Sequence, residues 1–193
     1  MRRYALLPAV MVLACLPERR AATPPAIDSV RLAEARTAAT ALGGELLTLL
    51  TQELARGGPA AAVAVCADSA QVRTSRHQQA GITVRRVGTR VRNPANAPDS
   101  LESAILAAFQ ADLSAGRLPA DTVVLEALAG GHTRLRYLRP VRVQEACLTC
   151  HGPATGIPDS VRAILARRYP NDQATGYAIG ALRGAVSVQV DQD

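Results

Sequence analysis

The chain has 193 residues, of which 48% are apolar, 20% charged and 3% aromatic, with a formal net charge of +6. This is enough for one domain with its own core. All 22 basic residues are arginine, but they form no blocks and no aromatics are interleaved with them, which excludes nucleic acid as a partner. The lack of lysine reads as a coding bias rather than as a site.

Met1-Arg2-Arg3 is a short positive region, and Tyr4 to Ala14 is an apolar run of eleven residues. That run is too short to span a bilayer and suits an export signal. Val12-Leu13-Ala14-Cys15 looks like a lipoprotein box, with Cys15 as the lipidated first residue of the mature chain. Ordinary cleavage near Ala21 or Ala22 is the alternative. Either way the mature protein is expected in the periplasm, and a lipid on Cys15 would hold it at the membrane. Residues 16–27 read as a tether, and 28–193 as one domain. Both methionines, Met1 and Met11, fall in the signal.

Asp28 or Ser29 is placed to cap a helix to about Arg56, with Leu32, Ala35, Ala39, Leu42, Leu46 and Leu49 near helical spacing. Gly57-Gly58-Pro59 stops it, and a second helix follows from Ala61 to about Val72. The run Ala61 to Ala67 is apolar on all sides, which predicts burial. Residues 82–87 alternate as a strand. Arg90 to Pro98 reads as a loop, since Asn93-Pro94 and Ala97-Pro98 disfavour helix. Asp99 or Ser100 caps an amphipathic helix to about Ala115, with Glu102 in its first turn. Thr122–Leu128 and Thr133–Val143 are strands joined by a hairpin at Gly130-Gly131. Ser160 to Tyr169 is a short helix, and Gly184 to Val190 a closing strand. The order reads as α+β with an antiparallel sheet.

Cys147-Leu148-Thr149-Cys150-His151 is the most informative segment. Two thiols three positions apart and an immediately following histidine form the attachment pattern of c-type haem. The sulfurs add to the two vinyl groups, and His151 is the proximal iron ligand. A zinc site needs a second pair of ligands, and none stands at suitable spacing. The expected cofactor is one covalently bound haem c. A mature chain without methionine excludes His/Met ligation, so the sixth position is filled otherwise or left open.

Cys66 is then left over. It reads as a small buried hydrophobe or as the sixth ligand, whose thiolate charge ferric iron would compensate. His77 and His132 compete for the same role. Arg85, Arg86, Arg92 and Tyr137 are candidates for the haem propionates, since guanidinium forks suit carboxylates. Asn93 reads as fixing a loop near the haem.

Several segments together resemble a bacterial family of exported or sensor-linked c-type haem domains, long catalogued as a domain of unknown function. They are Ala64-Val65-Cys66, Arg85-Arg86, the Arg92-Asn93-Pro94-Ala95-Asn96-Ala97-Pro98-Asp99 stretch, Leu101-Glu102, Phe109, the haem motif through Gly152, and Tyr169 to Tyr177 followed by Arg183-Gly184-Ala185. They span roughly residues 30–190. The resemblance implies a PAS-like antiparallel sheet flanked by helices, with His151 and Cys66 as the axial pair. It also implies a role in signalling. Some members are joined to histidine kinases, whereas this chain shows no transmitter module, so a separate redox or signalling partner is expected.

The resulting expectation is a haem-based redox or gas sensor. Thiolate stabilises ferric iron, so reduction would weaken the Cys66 bond and move its helix. The alternatives are a simple electron carrier and a cytochrome c′-like gas binder, the latter predicting an all-helical protein. An enzyme is the least supported reading, because no paired carboxylates or activated nucleophile stand out.

Overall fold

A computed structural model describes residues 26–192. The leader, Cys15 and most of the tether lie outside the described residues. Among the described residues, no helix is long and apolar enough to cross a membrane.

The long helix α1, Ser29–Arg76, begins where Asp28 accepts hydrogen bonds from the backbone N–H groups of Val30 and Arg31 at 2.8 and 3.3 Å. Its course breaks at one residue, Gly58, with φ +69° and ψ −169°. The break expected from Gly57-Gly58-Pro59 is there, but no loop separates the halves. Glycine supplies the positive φ, and Pro59 opens the second arm where its missing N–H is not needed. The arms fold back on each other. Glu45 bonds Arg73 at 2.6 Å and His77 at 2.8 Å. In a straight helix a separation of 28 positions would span about 42 Å. The second arm also runs to Arg76, past the expected end near Val72. Within Ala61–Ala67 only Ala62 and Val63 are buried, and the rest are half-buried because one side of the arm faces a cavity.

Four strands, β1 (Ile82–Val87), β2 (Thr122–Ala127), β3 (Thr133–Arg142) and β4 (Leu182–Gln192), form one antiparallel sheet in the order β1-β4-β3-β2. The fold is therefore α+β, a PAS-like antiparallel sheet flanked by helices, and the all-helical alternative is overturned. Side-chain alternation gives the sheet two apolar faces. On one, Val84, Leu135, Val188 and Val190 pack against Ala35, Ala39 and Leu42 of α1. On the other, Val87, Leu138 and Ala185 pack against Ile105, Leu106 and Phe109 of α2, Ser100–Ser114. A single 3-10 turn, Pro94–Asn96, interrupts the loop expected at 90–98.

The start of α2 is tied to the sheet by charge. Asp99 accepts from the Glu102 N–H at 2.8 Å, and Glu102 accepts from the Asp99 N–H at 2.9 Å, forming a reciprocal cap. The Glu102 side chain is fully buried, with Arg136 Nη2 3.5 Å away. Arg136 also bonds Asp99 at 2.6 Å and Glu126 at 3.2 Å. Replacing Glu102 with alanine removes the returning cap and the most deeply buried counter-charge of Arg136. The expected loss is about 3 kcal/mol, the lower end for breaking a buried pair, because Arg136 keeps two carboxylates. Urea unfolding of the variant beside the parent measures it.

Candidate functional site

The segment after β3 makes a 3-10 turn, Glu145–Cys147, and then one helical turn, α3, Leu148–His151. This local winding separates the three motif side chains. Cys147 packs with Val143, Ala174 and Tyr177. Cys150 packs with Val63 of the second α1 arm and with Val161 and Leu165 of α4, Asp159–Arg168. Both are free thiols and half-buried, as is Cys66.

His151 Nδ1 lies 2.6 Å from the Ala174 carbonyl oxygen. A carbonyl only accepts, so Nδ1 carries the proton and Nε2 keeps its lone pair. Burial, then the nearby Arg92 and Arg183, hold the imidazole pKa down to about 3. The side chain is thus a neutral nitrogen donor, the form that a metal ligand must take. The Tyr177 ring stands edge-on to it, 6.2 Å between centroids.

His151 lines two adjoining cavities. The smaller, about 130 Å³, also has Cys66, Ala67 and Ala70 of the second α1 arm in its wall. Burial pushes the Cys66 thiol pKa up, and the charge of Arg86 works against that rise. The larger cavity, about 270 Å³, is floored by Val186 of the sheet, bordered by Val87 at the strand end, and walled by Leu46, Leu47 and Leu50 of the first arm. Leu47 and Val141, both on its border, are 46% and 40% exposed, so apolar surface is left for something to cover.

Four arginines converge here. Arg86 and Arg183 line both cavities. Burial lowers the pKa of each, and Arg183 lowers that of Arg86 further. Arg86 reaches Gln71 Oε1 at 3.5 Å, while its Nε is buried with no partner. Arg183 donates to the Arg90 carbonyl at 3.4 Å. Neither forms a salt bridge among the described residues. Two desolvated guanidinium groups without a carboxylate favour an anionic ligand group. Arg90 instead stacks over Tyr177, 4.3 Å from the ring centroid.

The other expected residues divide. Asn93 borders the smaller cavity and caps the adjacent turn, its Oδ1 accepting from the Ala95 N–H at 3.0 Å. Arg92 borders both cavities, but its guanidinium is engaged by Asp172 and by two backbone carbonyls. Arg85 is not in either wall. As the strand neighbour of Arg86 it points to the opposite face, where it bonds the Ala97 carbonyl and lies 3.8 Å from Glu102. Tyr137 is not in either wall, and sits in the α1-face core beside Arg36 and Asp121. It precedes Val141, which does border the larger cavity, by four residues or roughly 13 Å of strand. These two placements correct the expectation that Arg85 and Tyr137 bind the ligand. His77 is held by Glu45, and His132 stands at the β2–β3 turn. Neither borders the cavities.

Sequence reasoning did not single out Arg183 or the Ala174 carbonyl. Arg183 stands in the closing resemblance stretch, which was the available signal. A backbone oxygen has no residue signature at all.

The cavity walls fit a haem: a neutral imidazole, a thiol, an apolar slot and two guanidinium groups without a salt bridge, while Cys147 and Cys150 stand in neither wall. Residues 19–191 match the Tll0287-like family. A crystal structure of the cyanobacterial haem protein Tll0287 superposes with a TM-score of 0.67 at 26% identity, covering 86% of this chain and 98% of that one. No curated protein matches the sequence.

Proposed function

The chain belongs to the Tll0287-like family, and from that membership we propose that it is an exported haem c protein acting as a redox or gas sensor. Cys147 and Cys150 hold the cofactor through thioethers, His151 Nε2 is one iron ligand and Cys66 Sγ the other. Arg86 and Arg183 receive the propionates. The observation that carries this reading is that His151 and Cys66, from different elements, share the wall of one cavity.

The cofactor would supply one-electron chemistry at iron, with the ferric state favoured by a thiolate ligand. The chain's own contribution is the exchange at Cys66. Its buried environment disfavours a free thiolate, so a Cys66 not bound to metal would hold its proton and be neutral. Cys66 lies on the second arm of α1, beyond the break at Gly58, so a change at its sulfur would act on that arm. Signalling then passes to a separate partner, a redox protein or a signalling protein, with Cys15 as the membrane anchor. No catalytic activity is assigned.

The test is production in a host that attaches haem covalently. After acid denaturation and extraction, haem should stay with the polypeptide at one per chain by mass. Replacing Cys147 and Cys150 together with alanine should abolish that retention. Retention by the double variant, or complete extraction from the parent, would overturn the proposal.

A further inference from the structure

Two stretches of the family resemblance, around Arg92 and around Asp172, are 80 residues apart in sequence and meet beside His151. Arg92 Nε donates to Asp172 Oδ2 at 2.9 Å, and both side chains are only 11% exposed. The other carboxylate oxygen, Oδ1, accepts from the Ala174 backbone N–H at 2.8 Å. Arg92 Nη2 donates to the Cys150 carbonyl at 2.5 Å and to the Ala174 carbonyl at 3.3 Å. That Ala174 oxygen is the acceptor of the His151 Nδ1 proton. One ion pair therefore holds both backbone polar groups of Ala174, whose carbonyl orients the imidazole.

We infer that Arg92 and Asp172 are positioning residues that set how strongly His151 donates to a bound iron, rather than holders of the ligand's carboxylates. The inference rests on the reading of His151 as an iron ligand. A carbonyl oxygen has two lone pairs. When a guanidinium occupies one, the oxygen accepts less strongly from Nδ1–H, and the opposite nitrogen becomes a weaker donor. Within the pair the two charges offset each other beside His151. Loss of either partner changes both the imidazole and the local charge, with opposite signs. Without Asp172, the Arg92 charge stands alone and ferric iron is disfavoured. Without Arg92, the Ala174 oxygen accepts fully, the Asp172 charge stands alone and ferric iron is favoured.

The experiment is a spectroelectrochemical titration of the haem-loaded full chain and its variants. Asp172→Asn keeps an acceptor for the Ala174 N–H and should raise the reduction potential. Arg92→Gln should lower it, and the double variant should fall between them. Arg92→Lys, which keeps the charge, should return the potential toward the parent's. No shift in either single variant, or shifts in the same direction, overturns the inference. If Arg92→Gln does not retain haem, the other two single variants decide. A rise for Asp172→Asn with a near-parental Arg92→Lys supports the inference, and any other combination overturns it. His151→Ala is recorded alongside. If its axial-ligand spectrum is unchanged from the parent's, the reading of the site itself fails and takes this inference with it. If that spectrum is lost while the potentials do not move, the inference fails alone.

Discussion

Replacing Cys66 with serine in the haem-loaded protein is expected to abolish the narrow g-spread of a thiolate-ligated, low-spin ferric signal in electron paramagnetic resonance. The reduction potential should rise by on the order of 0.1 V or more, a fraction of the ~0.8 V over which axial ligands tune haem. The direction follows from ligand strength, since a thiolate stabilises ferric iron and a hydroxyl does so poorly. The ferrous variant should also bind carbon monoxide readily. The parent should bind it only to the extent that reduction frees Cys66, which separates a switch from a plain electron carrier. A spectrum indifferent to the substitution would leave Cys66 as a wall residue. A bis-histidine spectrum would then need His77 to leave Glu45, or His132 to leave the β2–β3 turn.

Gly184→Ala should have the largest effect of any single substitution on stability. Gly184 has φ +151°, and a Cβ built there would lie 2.0 Å from the Val87 carbonyl oxygen and 3.0 Å from the Gly88 Cα. Both obstacles are backbone, so no rotamer relieves the contact. Gly184 lies near the start of β4, paired with Val141 of β3 and next to the Ala185–Val87 pair, and its neighbours Arg183, Ala185 and Val186 line the larger cavity. The substitution must push β1 away from β4 at the cavity floor. A loss of about 4 kcal/mol or more is expected, in the range reserved for strained or overpacked positions. Urea unfolding gives the value. An effect below about 1 kcal/mol would show that this strand crossing relaxes easily.

Local chemistry made much of this molecule legible from sequence. The Asp99–Glu102 cap, the glycine turn between β2 and β3 and the Cys147–His151 motif each depend on residues a few positions apart, and each stands where expected. Cys66 was singled out because three other cysteines had explanations and it had none. The misjudged residues are those whose role depends on distant partners. Arg85 and Arg86 look equivalent in sequence, yet strand alternation sends one to the α2 face and the other to the cavity. Tyr137 lies on the α1 face but too far along its strand. The sharp fold-back at Gly58 depends on Glu45 finding Arg73 and His77, which no local pattern announces. Arg92 carries the right group for a carboxylate ligand, and only its meeting with Asp172 shows that the group is already engaged.

The strand order has a consequence in time as well as in space. β4, the last strand in chain order among the described residues, lies in the middle of the sheet, and among those residues β1 pairs with β4 alone. Until residues 182–192 have emerged, β1 cannot pair, and β2 and β3 form only an isolated hairpin, which is marginal in water. Residues 147–151 emerge before that strand. The paired thiols therefore pass through a period in which they are on an open chain and reachable by a modifying enzyme, before the last strand closes the sheet beneath the cavity. A domain that shuts from its C-terminal end folds late and through long-range contacts, which slows it. On the proposed reading of Cys147 and Cys150, that delay is the interval in which a covalent group would be attached.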